Sequence, residues 1–153
     1  GVAGVVAREA STSTVLADRS PAGVRAKLSL LLHDQTQIDD AWVREETLVN
    51  TSPGAEQALD RLLTYLRGGI NEHLTGERLA ASGVPARLMW GAEDRWIPLD
   101  IARRVAATLP SAPLYVMKSA GHAPYFERPE TFNDIVLEFL TDTAHQKPGV
   151  FEV

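Results

Sequence analysis

The apolar positions follow a continuous pattern at the start of the chain and a helical pattern through its middle. Gly1–Ala7 is a short uninterrupted apolar run, typical of a strand buried in a parallel sheet. From about Pro21 to Leu79 apolar residues recur at helical spacing. One such stripe consists of Leu59, Leu62, Leu63 and Leu66, and two glycines that follow it mark the end of the helix. A further helix is predicted from about Asp39 to the turn signal NTSPG. Residues 21–80 are therefore predicted to be all helical.

Beyond residue 80 the pattern alternates between strand and helix. Strands are predicted over Val84–Trp90 and Leu114–Met117, and helices over Leu99–Leu109 and from Pro129 to about Thr143. This alternation is typical of βα units and predicts an α/β fold with a parallel sheet. The tail from His145 to Val153 shows no periodicity and is expected to fray. The predicted segments are a strand and loop (1–20), helices (21–80), two βα units (81–144) and a tail (145–153).

Composition and charge exclude several classes of function. The net charge is -5 and the basic residues are scattered singly, which argues against a nucleic-acid partner. No apolar run approaches the ~20 residues that cross a bilayer, so a membrane-spanning chain is not expected. The chain has no cysteine, which excludes disulfides and thiolate zinc sites. The N-terminus has no initiating Met and no secretory pattern, so it reads as an interior start, and the cytoplasm is the default location.

Asp94 and His122 carry the candidate chemistry. Asp94 follows the predicted strand that ends at Trp90, and His122 follows the one that ends near Met117. Because parallel strands bring their carboxyl ends to one edge of the sheet, the two side chains are expected to lie in neighbouring loops. A carboxylate that accepts from imidazole Nδ1 leaves Nε2 to take a proton from a nucleophile or water. Taken singly, the aspartate could be a turn or cap residue and the histidine a loop residue.

The residues around this pair form a longer ordered motif, which is G-x-x-D-x-x-x-P (Gly91, Asp94, Pro98), then Gly121 and His122, then F-x-x-P-E (Phe126, Pro129, Glu130). This order resembles the C-terminal half of α/β-hydrolase-fold enzymes, whose chain order is nucleophile, acid, histidine. The resemblance implies that Asp94 is the acid and His122 the base. It also implies the C-terminal part of an α/β-hydrolase parallel sheet, with Gly1–Ala7 as its sixth strand and residues 21–80 as an inserted all-helical cap.

The helical segment narrows this resemblance. The helical segment looks most like that of meta-cleavage-product (C–C bond) hydrolases and related esterases in two stretches, His33–Glu46 (HDQTQIDDAWVREE) and Ser52–Gly54. Outside the segment, Asp94–Asp100 agrees with the same branch. That branch implies a small-molecule substrate. For a C–C bond hydrolase the substrate would be a vinylogous 1,5-diketone cleaved after ketonisation; otherwise it would be an ester, lactone or amide. The resemblance implies no cofactor and no metal.

A nucleophile elbow of the form G-x-S-x-G does not occur in the 153 residues. Ser52 lacks the first glycine and precedes a proline, and Ser11, Ser13 and Ser119 also lack the motif. The expectation is a fragment of a longer hydrolase, or one chain of a split or nicked one, that is inactive and aggregation-prone alone. Its partner would be the missing N-terminal half, upstream or in trans, and a homo-oligomer is possible.

Several alternatives stay open. The acid could instead follow the sixth strand, as Glu9 or Asp18. Trp96 and Ala123, which flank the pair, are candidate substrate-binding residues, while Arg95 is expected to be a surface residue or to guide an anionic substrate. A cluster around His33 (Asp34, Asp39 and Asp40) fits no metal-ligand spacing and is interpreted as helix-end charge. The alternative functions are an epoxide hydrolase or dehalogenase with an aspartate nucleophile, and an inactive binding or assembly fragment.

Overall fold

The structure, a computed structural model, describes residues 15–68, 75–141 and 147–153. Its helices include, in chain order, α1 (Pro21–Leu31), α2 (Asp40–Asn50), α3 (Ala55–Gly68), α4 (Gly76–Ser82), α5 (Leu99–Thr108), α6 (Pro124–Glu127) and α7 (Pro129–Thr141). Its strands are β1 (Leu88–Gly91), β2 (Leu114–Met117) and β3 (Val150–Glu152), and a 3-10 turn spans Gln35–Gln37. The strand predicted over Gly1–Ala7 lies outside the described residues.

Local signals fix where the first helices begin. The Ser20 hydroxyl accepts from the amide of Gly23 at 3.1 Å, and Pro21, which has no amide hydrogen, occupies the first turn of α1. The Asp39 carboxylate caps α2 in the same way by accepting from the amide of Trp42 at 2.7 Å. The apolar faces of α1, α2 and the intervening turn meet in one cluster, the helical-segment core: Val24, Leu28, Leu32, Ile38 and Val43. Every regular element in the described part of 21–80 is a helix or a 3-10 turn, in agreement with the predicted helical pattern.

The three strands form a parallel sheet in the order β1-β2-β3. Alternate strand residues point to opposite faces, and a different helix covers each face. One face packs α5 through Ala102 against Leu114 and Val116, and the other packs α7 through Ile135 against Met117. This arrangement confirms the α/β class with its parallel sheet. No helix in the described ranges is long and apolar enough to cross a membrane.

Two strand predictions need correction. The first strand begins at Leu88 rather than Val84, because Val84 is exposed and Pro85 has no amide hydrogen for a strand ladder. The tail over 145–153 was expected to lack structure, but Val150–Glu152 pairs with β2. The Phe151 ring stacks on Tyr115 with centroids 5.2 Å apart, which adds a tertiary contact to a segment of three residues. Such a short strand carries too little alternation for sequence periodicity to detect.

Candidate active site

The loop after β1 holds Asp94 in a buried turn. The Asp94 Oδ1 atom accepts from the amides of Trp96 and Ile97, at 2.9 and 2.8 Å. Its Oδ2 atom lies 2.9 Å from Nδ1 of His122. The carboxylate is thus held by backbone on one oxygen and faces the imidazole with the other, and its side chain is only 3% exposed. The structure brings the two predicted residues into direct contact.

The loop after β2 (118–123), the histidine loop, carries His122 against the loop after β1 with almost no intervening space. A Cβ atom on Gly91 would overlap the carbonyl oxygens of Gly121 and Ala120, so glycine is required by this close backbone approach. Glu93 joins the loops further, because its amide donates to the Ala120 carbonyl at 3.0 Å and its Oε2 accepts from the Ala120 amide at 3.1 Å. These contacts fix the distance between the loop of Asp94 and the loop of His122.

The geometry of the pair defines its chemistry. An ionised carboxylate can only accept, so in the neutral imidazole the 2.9 Å contact places the proton on Nδ1 of His122 and leaves Nε2 as the acceptor. The His122 side chain keeps 35% of its surface accessible, whereas the Asp94 side chain keeps 3%. A buried acceptor behind a partly accessible imidazole is suited to orient a general base and to stabilise the imidazolium when it forms.

The candidate binding residues lie in different surroundings. The Trp96 ring is tilted toward the His122 ring with centroids 6.3 Å apart. Ala123 packs instead against the helical-segment core, so its methyl group contributes to the contact between the histidine loop and the helices. Arg95 is exposed and donates to the Ser29 carbonyl at 3.4 Å.

The alternative acid and the serines have other surroundings. Asp18 is exposed and accepts from the Ser20 amide at 2.9 Å; donation from the Ser20 side chain and amide lowers the pKa of this carboxyl. Ser52 is an exposed turn residue whose hydroxyl donates to the Val49 carbonyl at 2.7 Å. Ser119 is exposed with a φ of 55° and lies in the loop after β2, three residues before His122. Ser11, Ser13 and Glu9 lie outside the described residues.

The acidic residues near His33 act locally on helix ends. Asp34 caps the 3-10 turn by accepting from the Thr36 amide at 2.9 Å, and hydrogen bonds from the Thr36 side chain and amide lower its pKa. Asp39 caps α2, and Asp40 forms an exposed ion pair with Arg25.

The contacts of Glu127 were not predicted from the sequence. Its carboxylate accepts from three backbone amides, those of Gly121, His33 and Asp34, at 2.5, 2.6 and 2.9 Å. Two of these amides lie more than 90 residues away in the chain. A carboxylate five residues after the histidine is the only sequence signal, and it does not reveal partners that are main-chain amides.

Comparison with known proteins places this geometry in context. A family model described as the alpha/beta hydrolase family matches residues 2–135. The uncharacterized hydrolase YugF of Bacillus subtilis (strain 168) is 30% identical over 79% of this chain and 43% of its own length. The 2-hydroxy-6-oxononadienedioate/2-hydroxy-6-oxononatrienedioate hydrolase of Paraburkholderia phymatum is 40% identical over 69% of this chain and 33% of its own length.

The same fold occurs in a solved structure, the 2-hydroxy-6-oxo-6-phenylhexa-2,4-dienoate hydrolase from Rhodococcus sp. strain RHA1. It superposes with a TM-score of 0.77 at 18% identity, over 93% of this chain and 50% of that chain. At this identity the likeness concerns the fold. The chain therefore spans half the length of this structure, and less than half of the two curated relatives.

Proposed function

Since the chain belongs to the α/β-hydrolase family, we propose that Asp94 and His122 are the acid and the base of a hydrolytic triad. The observation that carries this proposal is the 2.9 Å contact between Oδ2 of the buried carboxylate and Nδ1 of the partly accessible imidazole. In the reaction, Nε2 of His122 takes the proton of a nucleophile as the nucleophile attacks the substrate carbonyl. The Asp94 carboxylate keeps the ring in the required tautomer.

The nucleophile is proposed to come from sequence outside these 153 residues, upstream or in trans. The chain contains no G-x-S-x-G motif: Ser52 lies in a turn between two helices, and Ser119, although it follows β2, has Met117 instead of glycine two residues before it. Acid and base without a nucleophile and an oxyanion hole give little acyl-transfer catalysis. The working enzyme would therefore include a further segment that supplies both, most simply with a serine nucleophile.

For the substrate we propose a carbonyl compound cleaved at a carbon–carbon bond, namely a vinylogous 1,5-diketone that forms by ketonisation of a dienol. Relatives named as 2-hydroxy-6-oxononadienedioate/2-hydroxy-6-oxononatrienedioate hydrolases support this class, as does the resemblance of His33–Glu46 to the same branch. Trp96 would line the entrance, because its ring faces that of His122. Carboxylic esters are the other substrates that the same triad could hydrolyse.

The test uses the full-length protein and two substrates in parallel. Loss of the dienol absorbance reports carbon–carbon bond hydrolysis, and release of p-nitrophenol from a short-chain ester reports esterase activity. His122→Ala is expected to lower either turnover by about a thousandfold or more, because the general base is lost. His33→Ala is the matched control, since alanine keeps the His33 amide that bonds to Glu127. Equal turnover of the His122 variant and the parent protein would refute the assignment.

The type of nucleophile can be read in the same preparation. A fluorophosphonate probe is expected to label one serine of the full-length protein and to block turnover. An ester-linked adduct on an aspartate, formed from an epoxide or a haloalkane, would instead indicate the epoxide hydrolase or dehalogenase class. Absence of any labelling and of both activities would favour a binding or assembly role.

A further inference from the structure

We propose that Glu127 is a positioning residue that couples the helical segment to His122, an assignment that rests on the proposed role of His122 as general base. Glu127 ends α6, the single helical turn that follows the histidine. Its carboxylate receives hydrogen bonds from both sides of a junction: from Gly121 on the histidine loop, and from His33 and Asp34 just after α1. One side chain therefore links the histidine loop to the helical segment.

The surrounding backbone makes this junction rigid. The amide of His122 donates to the Leu31 carbonyl, in the last turn of α1, at 2.7 Å. A Cβ on Gly121 would press against the Leu31 carbonyl oxygen at 2.5 Å and the His33 nitrogen at 2.9 Å. The backbones of the two segments are in contact here, which leaves no room for a side chain between them. The Glu127 carboxylate contacts this junction through the amides of Gly121, His33 and Asp34.

The three amide donors require a carboxylate at this position. Three amide N–H groups converge on it, and a carboxylate offers acceptor sites on both oxygens. A glutamine has one acceptor oxygen, and its NH₂ group would face at least one amide hydrogen. The Glu127→Gln substitution therefore keeps the side-chain shape but breaks one side of the junction.

Consequently, the position of His122 depends on where the helical segment sits. The imidazole is fixed by Asp94 through Nδ1. The backbone that carries it is fixed by the Leu31 carbonyl, which accepts from the His122 amide, and by the Glu127 carboxylate, which accepts from the Gly121 amide. Two of these three attachments depend on the junction between the histidine loop and the helices. Glu127 does not need to touch the substrate; it acts by holding Nε2 at the distance from the nucleophile that proton transfer requires.

The test compares Glu127→Gln with Glu130→Gln in the full-length protein. Glu130 is an exposed residue in the first turn of α7, so the control makes the same chemical change nearby. Glu127→Gln is expected to lower kcat about 10- to 100-fold while KM changes less than about twofold. The reason is that the distance between the nucleophile and the base would shift by up to about 1 Å. Glu130→Gln should leave both constants unchanged.

A second readout is independent of turnover. In a ¹⁵N-histidine-labelled protein, the Nδ1 proton of His122 should give a downfield resonance that exchanges slowly with water, and Glu127→Gln should broaden it or shift it. If Glu127→Gln does not fold, Glu127→Asp replaces it; this shorter carboxylate should produce the same changes in smaller measure. Unchanged kcat and an unchanged His122 resonance would overturn the positioning role. If the parent protein hydrolyses neither substrate, the proposed function fails. The change in the His122 resonance on Glu127→Gln then decides by itself whether Glu127 positions the imidazole.

Discussion

The Asp94→Asn substitution tests the orienting acid, because it changes one atom of a well-defined contact. The asparagine oxygen can still accept from the amides of Trp96 and Ile97, so the turn after β1 should persist. The nitrogen that replaces Oδ2 would face Nδ1 of His122 across 2.9 Å. Because an amide NH₂ only donates, Nδ1 must become the acceptor, and the imidazole proton moves to Nε2.

The expected magnitude follows from that tautomer change. With the proton on Nε2 the ring cannot accept from the nucleophile, and the imidazolium loses its buried carboxylate. The same substitution in the Ser-His-Asp template leaves the geometry intact and lowers kcat about 10⁴-fold. A loss of that size corresponds to ~5.5 kcal/mol of transition-state stabilisation. The low exposure of the Asp94 side chain, 3%, prevents water from restoring the missing acceptor.

The assay measures kcat for the full-length protein and its Asp94→Asn variant, with a thermal melt to verify that both are folded. Asp100→Asn is the matched control, because Asp100 lies on α5 with 70% of its side chain exposed and only a 3.7 Å pair to Arg104. Asp18→Asn tests the alternative acid and should also retain the parent rate. A loss of less than tenfold for Asp94→Asn in a folded variant, or a larger loss for Asp18→Asn, would refute the reasoning.

Two further predictions concern the framework of the site. Gly91→Ala should lower the free energy of unfolding, measured by urea denaturation, by about 3 kcal/mol, because the new methyl group meets the Gly121 carbonyl. Gly76→Ala is the control: its Cβ would have its nearest neighbour at 3.5 Å, so its free energy of unfolding should stay within about 0.5 kcal/mol of the parent value. Phe151→Ala should cost about 1 kcal/mol or more by removing the 5.2 Å stack on Tyr115, and it should speed amide exchange in β3; parent-like exchange would argue against β3.

The sequence was sufficient for the features that depend on periodicity and on strand order. Asp94 and His122 were expected in neighbouring loops because each follows one of two successive parallel strands, and β1 and β2 are hydrogen-bonded neighbours. The helices around residues 21–80 were also predictable, because cap residues such as Ser20 and Asp39 precede apolar residues at helical spacing.

Features that depend on distant backbone could not be predicted in this way. β3 has three residues, and what identifies it is its ladder with β2 rather than its composition. Glu127 resembles any surface glutamate in the sequence, because its partners are main-chain amides near residue 33, and every residue except proline has one. The contact of Gly121 with Leu31 is likewise visible only once the helices are packed.

The long sequence separation of the Glu127 junction has a consequence for the order of folding. Asp94 and His122 are 28 residues apart, whereas His33 and Glu127 are 94 residues apart. By the loop-closure relation the longer connection costs about 1 kcal/mol more chain entropy to form. We therefore expect the sheet and its acid–histidine pair to assemble first and the helices to dock afterwards. During refolding, protection of the Gly121 and His33 amides should lag behind that of the β2 amides.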